Sequence, residues 1–237
     1  WRKRWRTSPD ASWKRPLSTG SLSLYLLIGK ERFLKREFID DLRGRLFPGD
    51  TGASMNFQEF SAEEHEVSSA LDFIGTAPFA AEKRLAVIWG VDQYSAEQQE
   101  IFLSVLPKLP SSAVLVTESE QTNAKKDAFL KELAERGKLQ ACHTPFERDL
   151  PAWVNERARK MGLSLEGRAV HYLISCSGGE LATVASNIAQ LISYIHPKTK
   201  AALPDVEALF RRKAEDDVFR LAALLLEQKR GEALRVM

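Results

Sequence analysis

The sequence predicts a three-layer α/β domain built on a parallel sheet of five strands, followed by a small helical domain. Three observations carry this. Five short apolar runs alternate with amphipathic helical segments across residues 21–143. Most of these runs are continuously apolar, as strands buried on both faces are, and strand–helix alternation is the pattern of a parallel sheet. Beyond Thr144-Pro145 the strand pattern stops and helical periodicity alone continues.

Residues 1–20 precede this pattern as a basic leader. Six basic side chains (Arg2, Lys3, Arg4, Arg6, Lys14, Arg15) stand against Asp10, a local charge of +5 in a chain of net +2, so the remainder carries −3. The folded body therefore has no bulk charge that demands a nucleic-acid surface. Trp1, Trp5 and Trp13 interleave with the basic cluster. Arg and Trp together can stack on single-stranded nucleic acid. The more ordinary reading is a flexible leader, or an arm docked on its own domain.

Leu24 to Ile28 is an apolar run ended by Gly29, and Lys30 to Phe47 follows as a helix. Its apolar side carries Phe33, Leu34, Phe38, Ile39, Leu42 and Leu46, with charge expected on the other, and Pro48-Gly49-Asp50 ends it. Met55 to Phe60 alternates as a strand, and Ser61-Ala62-Glu63-Glu64 reads as the polar first turn of a helix running to Gly75. Arg84 to Trp89 is the third strand. Ser95 opens a helix with Glu97, Gln98 and Gln99 in its first turn, closed by Pro107 and Pro110. Ala113 to Thr117 is the fourth strand, Lys125 to Arg136 a helix stopped by Gly137, and Leu139 to Cys142 the fifth strand.

Four helical segments follow without a strand pattern: Arg148–Met161, Glu166–Cys176, Glu180–Ile195 and Pro204–Phe210. The third repeats Leu181, Val184, Ala185, Ile188, Leu191, Ile192 and Ile195 at helical spacing. A further helical unit begins at Asp216, where Leu221 and Leu225 are expected to expose apolar surface. The domain reading is thus a leader (1–20), an α/β domain (21–143), a helical domain (144–213) and the start of another (214–237). The sequence opens without Met and stops at Met237 within a helical pattern, as a fragment of a longer protein would.

The stretch between the second helix and the third strand stands out. Pro78 drives Ala77 from helical angles and offers no amide hydrogen, so the helix must end before it. Phe79 then sits among Ala77, Ala80 and Ala81, where its ring can project toward a pocket on another protein or tuck under its own domain. On the residues alone, the second is the more ordinary choice.

Composition narrows the class: 44% hydrophobic and 28% charged residues describe a soluble globular chain. No apolar run approaches the roughly 20 residues of a membrane span, and no signal-peptide pattern is present. Cys142 and Cys176 lack metal-ligand spacing and read as buried thiols of a reducing, cytoplasmic setting.

An α/β domain followed by a helical one invites the reading of a nucleotide-driven motor. A phosphate-cradling loop needs several glycines to converge its amides, then a Lys and a hydroxyl. The turn here reads Gly29-Lys30-Glu31-Arg32, with one glycine and an acid where phosphate would lie. Glu118 and Asp92 could each offer a carboxylate, but no Lys-and-hydroxyl partner completes a magnesium site. His65, His143, His171 and His196 are scattered, and His143 beside Cys142 is only a sequence neighbour. The reading therefore has no catalytic, cofactor-binding or metal residues. It is the shape of an ATPase without the equipment.

Several segments together resemble the delta subunit family of the bacterial DNA polymerase III clamp loader. They are Tyr25-Leu26-Leu27-Ile28-Gly29, Pro78-Phe79-Ala80-Ala81-Glu82-Lys83-Arg84-Leu85, Val114-Leu115-Val116-Thr117-Glu118 and Lys125-Lys126-Asp127-Ala128-Phe129. Leu150-Pro151-Ala152-Trp153-Val154 and Gly178-Gly179-Glu180-Leu181 follow in the same order. The resemblance implies an AAA+-like fold that has lost ATP binding, with a helical lid and the start of a helical collar. It implies a subunit that binds the ring-shaped sliding clamp (the beta subunit) and favours its open form during DNA replication. Other clamp-loader subunits and, through the assembled complex, primed DNA are the further partners, within a holoenzyme whose reaction is nucleotidyl transfer. The family's clamp-entering hydrophobic pair maps to Pro78 and Phe79, flanked by Thr76 and Ala77. Pro78 stands where the family pattern often has Leu and supplies less apolar volume. The alternative is an active P-loop ATPase motor subunit of a DNA-metabolism complex, which nucleotide binding would reveal.

Overall fold

In a computed structural model, residues 23–50 and 53–210 are described. The basic leader, Leu221, Leu225 and the rest of 214–237 lie outside the described residues. The chain divides into two compact units between Thr144 and Pro145.

The first unit holds the expected sheet. Strands β1 (Ser23–Ile28), β2 (Phe57–Ser61), β3 (Arg84–Trp89), β4 (Ala113–Ser119) and β5 (Lys138–Ala141) lie in the order β2-β3-β4-β1-β5, every neighbouring pair parallel. Parallel neighbours need crossovers, and helices supply them: α1 (Arg32–Leu46), then the single turn α2 (Ala53–Asn56), α3 (Val67–Gly75), α4 (Ala96–Val105) and α5 (Ala128–Arg136). Strand side chains alternate between two cores. Tyr25, Leu27, Val87 and Val116 pack with Phe38, Ile39 and Leu42 of α1. Leu24, Leu26, Ile28, Ala86, Ile88 and Leu115 pack on the other face with Ile74, Phe102 and Leu130 of α3, α4 and α5.

The starts of α4 and α5 follow their caps. The Ser95 hydroxyl accepts from the Gln98 amide at 3.3 Å, and the Asp127 carboxylate from the Leu130 amide at 2.9 Å. That second cap moves the start of α5 beyond the expected Lys125. Two boundaries near β2 also differ from expectation. Met55 and Asn56 belong to the turn α2 and not to the strand, because pairing starts with Phe57 opposite Leu85. Ser61 to Glu64 does not begin α3. Ser61 is still paired with Trp89, and the amides of Glu64 and His65 fold back to the Ser61 carbonyl at 3.1 and 2.8 Å. The helix starts at Val67.

Two side chains also reverse expectation. Lys35, on the supposed charged side of α1, is buried. Cys176, expected to be buried, is exposed at the end of α7, where Ser177 takes the inward place.

The second unit comprises α6 (Leu150–Lys160), α7 (Gly167–Cys176), α8 (Leu181–Ile195) and a helix over 203–210. Val154, Leu173, Val184, Ile188 and Leu191 are buried among them. The buried Asn187 amide of α8 donates to the Ser177 hydroxyl at 2.9 Å, which itself donates to the Leu173 carbonyl. The unit is not wholly helical: Ser164–Leu165 and Lys200–Ala201 form a two-residue parallel pair, β6 and β7. Two residues are too few to show a strand period in sequence. No helix among the described residues is long and apolar enough to cross a membrane.

Candidate functional site

The loop between α3 and β3 carries all four predicted contact residues in succession. α3 ends at Gly75, and Thr76 turns extended at ψ 151° ahead of Pro78. The Thr76 hydroxyl donates to the Phe73 carbonyl at 2.7 Å, satisfying a helix-end acceptor. Thr76 and Ala77 are exposed, Pro78 is half-buried, and Phe79 leaves 60% of its surface in solvent. Full burial of a Phe ring contributes roughly 1.5–3 kcal/mol, and this ring forgoes more than half of it.

The backbone under that ring is held firmly. Asn56, fully buried at the end of α2, grips Phe79 through both of its main-chain groups. Its Oδ1 accepts from the Phe79 amide at 2.8 Å, and its Nδ2 donates to the Phe79 carbonyl at 2.7 Å. A side-chain amide here does the work of a neighbouring strand's peptide. Ala80 follows at φ +50°, the left-handed region that side chains with a Cβ seldom occupy. Arg84, the first residue of β3, ties the other end. Its guanidinium donates to the Phe73 carbonyl at 3.0 Å, to the Thr76 hydroxyl, and to the Met55 carbonyl at 3.2 Å. It also lies 4.5 Å from the Phe73 ring centroid. Asn56 and Arg84 escaped the sequence reading. The first looked like one residue of an alternating strand and the second like the start of a buried one.

The carboxyl ends of β1 and β4 form the sheet's switch point, because α1 leaves to one face and α5 to the other. Open α/β sheets bind ligands there. In this chain two amides of that turn are already engaged. The Gly29 amide donates to the Ser119 carbonyl at 3.2 Å and the Glu31 amide to the Cys142 carbonyl at 3.0 Å. Gly29 has φ +123°, and a Cβ on it would lie 2.1 Å from that Cys142 oxygen. Beside them Lys35 and Glu118, with side chains 3% and 6% exposed, form a buried ion pair. The other Glu118 oxygen accepts from the Gly90 amide at 2.9 Å. The Glu118 carboxylate, which sequence reasoning considered for magnesium, thus neutralises Lys35. The signal for this was present: Lys35 shares the stripe of Phe38, Ile39 and Leu42 at helical spacing.

Burial pushes the Cys142 thiol up to about 12, with Lys35 opposing and Glu118 and Glu31 adding to the rise. It is no nucleophile at neutral pH. Among the described residues, no three His, Cys, Asp or Glu side chains gather where a metal could sit.

Strand order and the engaged turn define the class, an AAA+-like α/β module in which the Gly29 and Glu31 amides bond to its own backbone. The family profile for the DNA polymerase III delta subunit matches residues 25–143, half of the chain, and the chain belongs to that family. It is 27% identical over 228 residues to DNA polymerase III subunit delta of Escherichia coli (strain K12), covering 93% of this chain and 64% of that protein. The corresponding subunit of Bacillus subtilis (strain 168) is 25% identical over 231 residues, covering 90% of this chain and 64% of that one. The chain therefore spans less than two thirds of the length of these curated relatives. Among solved structures, the Bacillus subtilis DNA clamp loader delta protein superposes with a TM-score of 0.70 at 19% identity, covering 95% of this chain and 68% of that one. That likeness shows the fold.

Proposed function

We propose that this chain binds the sliding clamp of the replicative polymerase and favours its open state, without hydrolysing ATP itself. Phe79 is the anchor, and Thr76, Ala77 and Pro78 flank it. The observation that carries the reading is an aromatic ring 60% exposed on a loop whose backbone is pinned from Asn56 and Arg84. Exposed aromatics on rigid supports suit insertion into a partner's pocket, since little ordering entropy remains to be lost. Membership of the DNA polymerase III delta subunit family supports the replicative clamp as that partner.

Favouring the open clamp is a statement about differential affinity. Binding shifts an equilibrium only by the difference in free energy with which the two forms are held. Phe79 must therefore bind a pocket that is more complete, or less strained, in the open ring. The engaged amides of Gly29 and Glu31 support a subunit that transmits a motor's work and does not perform it. In this reading the second unit is the lid, residues 214–237 begin the collar that joins other clamp-loader subunits, and primed DNA is met through the assembly. The setting is the cytoplasm.

Co-elution of the chain with its cognate sliding clamp tests the proposal directly. A stable complex is expected, together with no saturable ATP binding at micromolar nucleotide. Failure to co-elute combined with micromolar ATP binding would return the motor-subunit reading to first place.

A further inference from the structure

We infer that Asn56 is a positioning residue for clamp capture, setting the Phe79 loop in its binding geometry before the clamp arrives; this rests on the reading of Phe79 as the anchor. A buried side-chain amide that pairs with both main-chain groups of one exposed residue is more than a local repair. The two bonds, at 2.8 and 2.7 Å, fix the direction of the Phe79 Cα–Cβ bond without touching its ring. The next residue, Ala80, is held at φ +50°. A non-glycine residue keeps such a conformation only where its surroundings over-determine it. Asn56 is the neighbour that does so. Released from Asn56, Ala80 is free to relax to negative φ, and the ring would then point elsewhere. The clamp would have to bear the cost of ordering the loop on binding. Arg84, through the Met55 carbonyl and the end of α3, braces the turn that carries Asn56 against the helix that precedes the loop.

A double-mutant cycle on the full chain tests this, with clamp affinity as the readout. Asn56→Ala is expected to weaken clamp binding about tenfold, and Phe79→Ala about 30-fold or more. If Asn56 acts through Phe79, the two losses overlap, and the double variant binds no more weakly than Phe79→Ala alone. Hydrogen exchange gives a readout of the loop itself. In Asn56→Ala the Phe79 amide should exchange faster, while the Val87 amide in the sheet stays protected. Ala80→Val approaches the same geometry from the surface. Ala80 is exposed, so the change leaves no core cavity, yet a β-branched side chain disfavours positive φ. It should weaken clamp binding by a similar factor with only a modest fall in melting temperature from the backbone strain, while the Val87 amide stays protected. This variant decides the matter if Asn56→Ala fails to fold. Losses that multiply to about 300-fold in the double variant would overturn the inference. So would wild-type clamp affinity in Asn56→Ala or Ala80→Val while Phe79→Ala remains defective. If Phe79→Ala itself binds the clamp normally, the anchor reading fails and this inference falls with it.

Discussion

Lys35 and Glu118 bury opposite charges at the point where a motor of this fold would hold phosphate. Removing one partner strands the other in a low dielectric, which typically costs about 3–5 kcal/mol. Lys35→Met should therefore lower stability by about that amount in urea unfolding. Lys35→Met with Glu118→Gln should recover most of it, because no buried charge is then left unpaired. Equal losses in the single and double variants would show that the pair's packing matters and its charge does not. Lys35 was legible by spacing and hidden by type, since an apolar stripe is read by seeking apolar residues. Phe79 is the converse. Its type suggests a core position, and its neighbours Ala77, Pro78 and Ala80 suggest a corner. Only the support from Asn56, 23 residues earlier, shows how the ring is kept outside.

At the scale of elements, caps and pairing decide what propensity leaves open. The Asp127 carboxylate fixes the start of α5, and Asp127→Ala should cost about 1 kcal/mol, read as a lower urea midpoint at unchanged slope. No change in midpoint would mean that tertiary packing sets that boundary. Strands β1, β3 and β4 were legible because apolar runs buried on both faces leave a strong mark, as Leu24–Ile28 and Leu85–Ile88 show. The edges of β2 were not. Strand pairing starts where the partner starts, and β3 begins only at Arg84. Sequence near Met55 carries no trace of that distant boundary. The β6–β7 pair was invisible for a related reason, since its two residues per strand are placed by the loops around α7 and α8.

For the whole molecule, buried neutral groups make alkaline pH a test of packing. Cys142 is raised from 9.0 to about 12, and Tyr94 by burial from 10.0 to about 12. The unfolded chain releases these protons first, so their contribution is complete below pH 9 and is lost as pH rises toward 12. The melting temperature should fall across that window, and Cys142→Ala should flatten the part that begins near pH 9. A slope identical in the variant would remove Cys142 from this account. At this scale the fold is proposed to hold Phe79 outside for a partner. The most direct test of this is titration of the cognate sliding clamp with the chain and with Phe79→Ala, each melted under the same conditions. The account predicts an affinity loss of about 30-fold or more, since truncating a central aromatic often costs at least about 2 kcal/mol, with an unchanged melting temperature. Unchanged clamp affinity would contradict it, as would a large fall in melting temperature from losing the roughly 3–5 kcal/mol of a core Phe.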